Sequence, residues 1–338
     1  MPARRIIPLF IPHVGCPHQC VFCNQRRIAA DGPITPEDTA LELERALGSQ
    51  PQGSEAEVAF YGGSFTAIEP DLRRAYLEAV RPFLLSGQVS SVRLSTRPDC
   101  VDKGILDELE AYGVRTIELG AQSMADTILA LAGRGHTAAD THRAAALIRA
   151  RGFELVLQMM CHLPGSSDAD DLHTAEELAE LRPQGVRVYP AVVIEGTPLA
   201  EMWRAGEYEP PSLERSVALC AGLLRLFHAA DVPVIRVGLN PTEELSGGAA
   251  LAGVYHPAFG ELVRSRVYIE AAREILRSGH PDGGKVKLLV APGMTSAMVG
   301  HRRENVLALE RQFGLKGARV RESEGVGMFE VLVESTDN

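Results

Sequence analysis

Cys16, Cys20 and Cys23 fall in the run IPHVGCPHQCVFCNQ, three thiols spaced CxxxCxxC with Phe22 directly before the last. Soft thiolates suit iron, and three in one short loop can hold three corners of a cubane [4Fe-4S] cluster. The fourth iron is then left without a protein ligand. Zinc is the competing metal: a structural zinc site takes four ligands, so the triad would have to recruit His13, His18 or a distant cysteine. Disulfides fit poorly, because three clustered cysteines cannot pair off and no secretory segment is expected ahead of them. The opening run MPARRIIPLFIP is too short and too broken by proline for a signal peptide or membrane anchor, so a reducing cytoplasm is expected.

A frame must hold that loop. The 338 residues exceed one average domain, a length that α/β barrels with an appendage often reach. A hydrophobic fraction of 45% supports a sizeable core, and no apolar run approaches a membrane span. The formal charge of −10 argues against a surface that is basic all over, while leaving room for a local basic patch.

Short β-branched runs alternate with amphipathic segments that carry helix start signals. The first strand is IIPLFI from Ile6, followed by the cysteine loop and a helix from about Thr35, where Thr35-Pro36-Glu37-Asp38 supplies a cap, an N1 proline and first-turn acids. EVAFY leads to a helix after Pro70, SVRLS to one after Asp102, and RTIEL to helical stretches around Ala125 and Asp140. FELVLQMM leads to a helix after Ser167, and GVRVYPAVV to helices from about Pro198 and Ser212. Six such units imply parallel strands and an α/β fold, a partial (β/α)6-type TIM barrel over residues 1–240. In barrels the chemistry collects at the C-terminal strand ends. There lie the cysteine loop, Gly62-Gly63-Ser64, Thr96-Arg97, Glu118 through Gln122, Gln158 with Met159 and Met160, and Gly196.

These stretches in series resemble the radical S-adenosylmethionine (SAM) superfamily, and within it the radical SAM domain of the tRNA-modifying Elongator catalytic subunit. The matching runs are GGSFT, TRPD, ELGAQS, GRGHT, QMM with a later LPG, and YPAVVIEGTPLAEMWRAGEY, in the same order over roughly residues 5 to 240. The resemblance implies an oxygen-sensitive enzyme whose open iron binds SAM and whose cluster passes one electron to cleave it. The product would be a hydrogen-abstracting 5′-deoxyadenosyl radical, with a flavodoxin- or ferredoxin-like protein as reductant.

It also implies that Gly62 and Gly63, with Ser64, approach the SAM amino group, glycine permitting close approach. Phe22 would wall the adenine, and Gly196 would shape an edge for it. Thr96, Arg97, Glu118, Gln122 and Gln158 would reach the ribose or methionine groups, Arg97 by a forked pair with the carboxylate. No catalytic residue is assigned. For each polar residue the alternative is a hydrogen bond or ion pair of the barrel rim, and for the two glycines a tight turn. His136 is expected to fix a loop. Met159 and Met160 read as core or pocket wall, and Cys100, Cys161 and Cys220 as buried small hydrophobes. Gln158 stands where the Elongator subunit has histidine, and Cys161-His162 where proline-aspartate is expected, which bears on substrate rather than cofactor. A bulky residue at Gly63 is expected to weaken SAM binding and spare the cluster.

Residues 241–338 are expected to form a small C-terminal α+β appendage. TEELSGGAALAG reads as loop and HPAFGELVRSR as a connection to the barrel, followed by a helix around Val267 to Arg277. Then come a strand at Val286 to Val290, a helix at Arg302 to Phe313, and strands at Ala318 to Arg321 and Met328 to Val333. Between Lys285 and Arg321 eight lysines and arginines face only Glu304 and Glu310, a reversal of sign that would suit RNA phosphates, with a solvated helix face as the plain alternative. The acetyltransferase half of the Elongator subunit has no match here. Three functions remain open: a radical SAM enzyme acting on RNA such as tRNA, one acting on a small metabolite or peptide, or a cluster-binding regulatory protein without turnover.

Overall fold

The computed structural model describes residues 5–11, 13–24, 34–48, 55–240, 245–279 and 283–336. Part of the N-terminal run, and Pro241 to Glu244 of the expected loop, lie outside them. The chain forms two compact units, Met1–Pro211 with Ala230–Tyr255, and Ser212–Ala229 with His256–Asn338. Residue 240, where the barrel was expected to end, lies in the second segment of the first unit.

The first unit is a curled sheet of seven parallel strands with helical crossovers, a partial TIM barrel. In sheet order the strands are β1 (Arg5–Phe10), β2 (Ala56–Tyr61), β3 (Ser91–Thr96), β4 (Val114–Gln122), β5 (Glu154–Cys161), β6 (Gly185–Pro190) and β8 (Val234–Val237). Strand β2, AEVAFY, is buried almost throughout, as a central parallel strand covered on both faces must be. Strand β1 alternates and carries Pro8, which lacks an N–H and suits an edge. Val58, Phe60, Leu94, Ile117, Leu119 and Leu157 are fully buried in the core.

The helices start where the polar caps said they would. They are α1 (Pro36–Gly48), α2 (Pro70–Leu85), α3 (Lys103–Ala111), α4 (Asp126–Leu131), α5 (Ala138–Ala150), α6 (Asp168–Glu180) and α7 (Pro198–Arg204). The Asp102 carboxylate accepts the Ile105 N–H at 2.8 Å, and Thr137 with Asp140 and Ser167 with Asp170 close reciprocal capping boxes.

Two corrections concern strands. GVRVYPAVV is broken after Pro190, and its second half, β7 (Val192–Ile194), leaves the barrel to pair antiparallel with β9 (Ala250–Gly253), inside the segment expected to be loop. A seventh barrel strand, β8, extends the sheet by pairing with β6.

The second unit comprises α8 (Leu213–Ala229), α9 (Phe259–Arg277), β10 (Lys285–Val290), α10 (Thr295–Val299), α11 (Glu304–Gln312), β11 (Gly317–Glu322) and β12 (Leu332–Ser335). The HPAFGELVRSR run, expected to join the barrel, enters α9 at Phe259, so this helix begins well before the expected Val267. The sheet order is β11-β10-β12, with β10 parallel to β11 and antiparallel to β12. Tyr268, Leu288, Val290, Met298 and Leu309 centre its core.

Candidate functional site

At the C-terminal strand ends of the first unit lies a cavity of about 300 Å³. Cys16, Cys20 and Cys23 all line it, with Phe22, Gly62, Gly63, Ser64, Thr96, Arg97, Glu118, Gln122 and Gln158. Every site residue expected from sequence is thus gathered except Gly196. That glycine (φ +75) instead packs against Asn24, whose amide donates to the Glu195 carbonyl at 3.0 Å. Val192 and Ile194 supply the cavity wall nearby.

Two glycine turns clamp the cysteine loop. On one side a Cβ on Gly63 would lie 2.3 Å from the Val14 carbonyl oxygen, and one on Gly15 would lie 2.3 Å from the Ser64 oxygen. His13 donates its N–H to Gly62 O at 2.9 Å and Ser64 donates to Val14 O at 3.0 Å. On the other side a Cβ on Gly135 (φ +71) would lie 2.5 Å from the His18 ring, and one on Gly133 (φ +64) would lie 3.2 Å from Gln19 O. Val21 also donates to Ala132 O at 3.0 Å. Gly63 therefore has a structural duty: it seats the loop that carries the thiols.

Phe22 packs among Ile128, Ala132, Met160 and Leu163 and reaches Leu199 and Tyr208, so it anchors the loop while facing the cavity. Met160 also lines the cavity, whereas Met159 and Cys161 are core.

Among the described residues no three His, Cys, Asp or Glu side chains gather tightly enough to hold a single metal ion. A cluster needs no such convergence on one atom, because each thiolate takes its own iron. Burial and the neighbouring Cys20 push the Cys16 thiol up, while Arg134 and Arg97 oppose this, so ligation must displace a proton.

The polar residues are held by one another. Glu118 accepts from Arg187 Nε at 2.8 Å, Arg93 at 2.9 Å and the Tyr61 hydroxyl at 3.0 Å. Burial alone would lower the Arg187 pKa, but the Glu118 charge raises it, so the guanidinium stays charged. Burial and Glu118 together push the Tyr61 phenol up, which keeps it a donor. Arg97 does form a forked pair, with Asp99 at 3.0 Å for both bonds. Thr96 shares its hydroxyl with Ser64 at 3.1 Å.

Strand β4 slips register against β5 between Gly120 and Gln122, and Gln122 takes a left-handed φ of 66°, which brings its side-chain oxygen within 3.2 Å of the Gln158 amide. A Cβ on Gly120 would lie 2.7 Å from Gln122 Nε2, so a larger residue there would push that amide aside.

Sequence reasoning passed over Arg134. This guanidinium is buried, lines the cavity, donates to Cys20 Sγ at 3.3 Å and to Gly120 O at 2.6 Å, and forms no ion pair with a carboxylate among the described residues. Among the described residues its Nε has no hydrogen-bond partner. The available signal was its place between Gly133 and Gly135. His136 next door bonds Ala121 O at 3.1 Å through Nε2, and burial with Arg134 and Arg97 nearby pushes its pKa down to about 4. It is a neutral spacer, as a loop-fixing residue should be.

The chain matches a known family over much of its length. The family model described as the radical SAM superfamily matches residues 10–178, and one described as the radical SAM C-terminal domain matches residues 183–268. A tRNA uridine(34) acetyltransferase of Dehalococcoides mccartyi is 24% identical over 91% of this chain and 79% of its own length. One from Methanocaldococcus jannaschii is 35% identical over 37% of this chain, which spans only 24% of that relative. The solved Elp3 of Methanocaldococcus infernus, with its N-terminus deleted, superposes with a TM-score of 0.63 at 22% identity, over 79% of this chain and 63% of that one.

Proposed function

Given that this chain belongs to the radical SAM superfamily and is an enzyme, we propose that it carries out hydrogen abstraction on an RNA substrate, tRNA being the leading class. The observation that carries the chemistry is the gathering of Cys16, Cys20 and Cys23 with the polar strand-end residues around one cavity. When bound, a [4Fe-4S] cluster and SAM together supply a reductively generated 5′-deoxyadenosyl radical. The three cysteines would hold the cluster. Arg134, a buried cation without a carboxylate partner among the described residues, would receive the SAM carboxylate in a charge-assisted pair. The Gln122 and Gln158 amides would orient polar groups of the cofactor, and Phe22 with Val192 and Ile194 would exclude water from its apolar faces. Glu118, committed to Arg93, Arg187 and Tyr61, would stiffen the cavity floor.

The RNA reading is supported by the names of the relatives and by the excess of basic residues between Lys285 and Arg321. A flavodoxin- or ferredoxin-like reductant and a cytoplasmic setting accompany it. Among the described residues no helix is long and apolar enough to cross a membrane. Anaerobic reconstitution, reduction and incubation with SAM in the presence of tRNA, or of a cell extract depleted of RNA, tests the reading. Formation of 5′-deoxyadenosine together with a mass change on a tRNA nucleoside is expected. Turnover that proceeds only with the RNA-free extract would reassign the substrate to a metabolite or peptide, and absence of SAM cleavage throughout would leave a non-catalytic cluster protein.

A further inference from the structure

The second unit holds a groove that the barrel cavity does not use. Strand β10 leads through α10 into the turn Gly300-His301-Arg302-Arg303, then α11 and β11. Gly300 is required, since its φ is +74° and a Cβ there would lie 2.9 Å from both Asn305 Cγ and Glu304 Cγ. Arg303 donates its N–H to Gly300 O at 3.2 Å and closes the turn. Arg302 (φ 49°) and Arg303 (φ 66°) are both left-handed, a conformation that crowds the Cβ of a non-glycine residue. Buried Asn305 locks the turn's far side, its amide reaching Ala297 O at 3.2 Å and Ser265 Oγ at 2.8 Å.

Between this turn, α11 and β11 runs a groove of about 320 Å³, with Val299 and Val320 as partly exposed aliphatic lining over buried Val306, Arg303 at the turn, and Arg319 and Arg321, which alternate with Val320 along the edge strand, bordering it from the other face of the sheet. The three arginines are exposed and form no ion pair among the described residues. Glu304 and Glu322 flank them, and Glu322 accepts from Thr295 at 3.0 Å. Strand β11 is an edge, paired only with β10 in the sheet. On β10, Lys287 stands opposite Arg319 in register and is ion-paired with Glu334 at 3.6 Å.

We propose that this groove binds a single strand of RNA, with phosphates on the arginines and bases against Val299, Val320 and the strand edge. Cationic groups above an aliphatic channel match a strand that is anionic along one side and flat and apolar along the other. KH modules hold nucleotide backbone on a glycine-led turn of this kind. Here Arg303 occupies the turn's fourth position and adopts the left-handed φ that glycine would take there. No aromatic side chain lines the groove, so base stacking contributes little and binding depends strongly on salt. The inference deepens the RNA reading above, resting on it for the choice of RNA, but locates the contact away from the cysteines.

The test uses the full chain purified without cluster and a short labelled RNA followed by fluorescence anisotropy in rising salt. Single-stranded RNA should bind about tenfold tighter than the same sequence as duplex, with affinity falling as salt rises. R302D/R303D should lose at least about tenfold, since aspartate tolerates left-handed backbone and reverses the charge. R319S/R321S, on an exposed strand, should lose a similar factor and guards against a folding defect in the turn. R215D/R277D, an equal charge change elsewhere in the unit, should bind as wild type does. Ultraviolet cross-links should fall within residues 299–306 and 317–322. Unchanged affinity in both groove variants, equal loss in the control, or displacement of RNA by polyglutamate at equal potency would overturn the proposal. SAM cleavage without this binding removes the groove alone, whereas binding without SAM cleavage removes the enzymatic reading alone.

Discussion

Arg134 shows what a single side chain contributes to the cavity. Buried, without a carboxylate partner among the described residues, and in contact with Cys20 Sγ, it favours an anion beside the thiolates. Arg134→Gln is expected to load the cluster normally, judged by its absorbance, yet weaken SAM binding at least about tenfold by calorimetry, the loss of one charge-assisted bond. Unchanged SAM affinity would contradict that role. The sequence did not reveal it because a lone arginine in a loop reads as a solvated charge; only the fold encloses it. His136 allows a pH test. Its imidazole titrates near 6.5 when unfolded and about 4 when folded, so the native state binds fewer protons between those values. Its share of stability is complete above pH 6.5 and falls as pH drops through the window, by roughly 3 kcal/mol at pH 4. Asp171 works the other way: burial holds its carboxyl up near 6, so its contribution grows on acidification and is lost as pH rises through 6. Denaturant unfolding of wild type and His136→Gln across pH 7 to 4 isolates the imidazole, and the variant should show the shallower fall. Parallel curves would rule it out.

At the scale of elements, the two glycine turns and the cysteine loop form one assembly. Gly63→Ala must displace the Val14 backbone, since a Cβ would lie 2.3 Å from a carbonyl oxygen that cannot swing aside as a side chain would. Cluster loading and thermal stability should therefore both drop, in contrast to the expectation that only SAM binding would suffer. A variant with full iron content and an unshifted melting temperature would restore the earlier view. Strands β1 to β6 were legible because β-branched runs alternated with well-capped helices. Strand β8 was not, for VIRV is only four residues and depends on β6 to define its edge. Strand β9, ALAG, has small residues and no strand pattern of its own; its pairing comes from β7. Likewise the cysteines, Gln122 and Gln158 were legible from type and position, whereas the bulge that reorients Gln122 is a property of two strands in register.

For the whole molecule, the chain's path between its units matters more than a linear boundary. Helix α8 packs against α9 within the second unit, tied by Arg225 to Glu274 at 2.9 Å, and buries Val217, Leu223, Leu224 and Phe227. A chain cut after residue 240 loses α9 and strands β9 to β12, uncovering that apolar face and unpairing β7. Such a fragment should aggregate or bind a hydrophobic dye in size-exclusion and fluorescence assays, and a monodisperse, dye-silent fragment would refute this. The clamp around the cysteine loop has a consequence for biogenesis. Its second jaw, Gly133 to Gly135, is translated long after the thiols have left the ribosome. The nascent cysteines are therefore made before their seat exists, and any group held by all three has a completed socket only once the chain as far as Gly135 has folded.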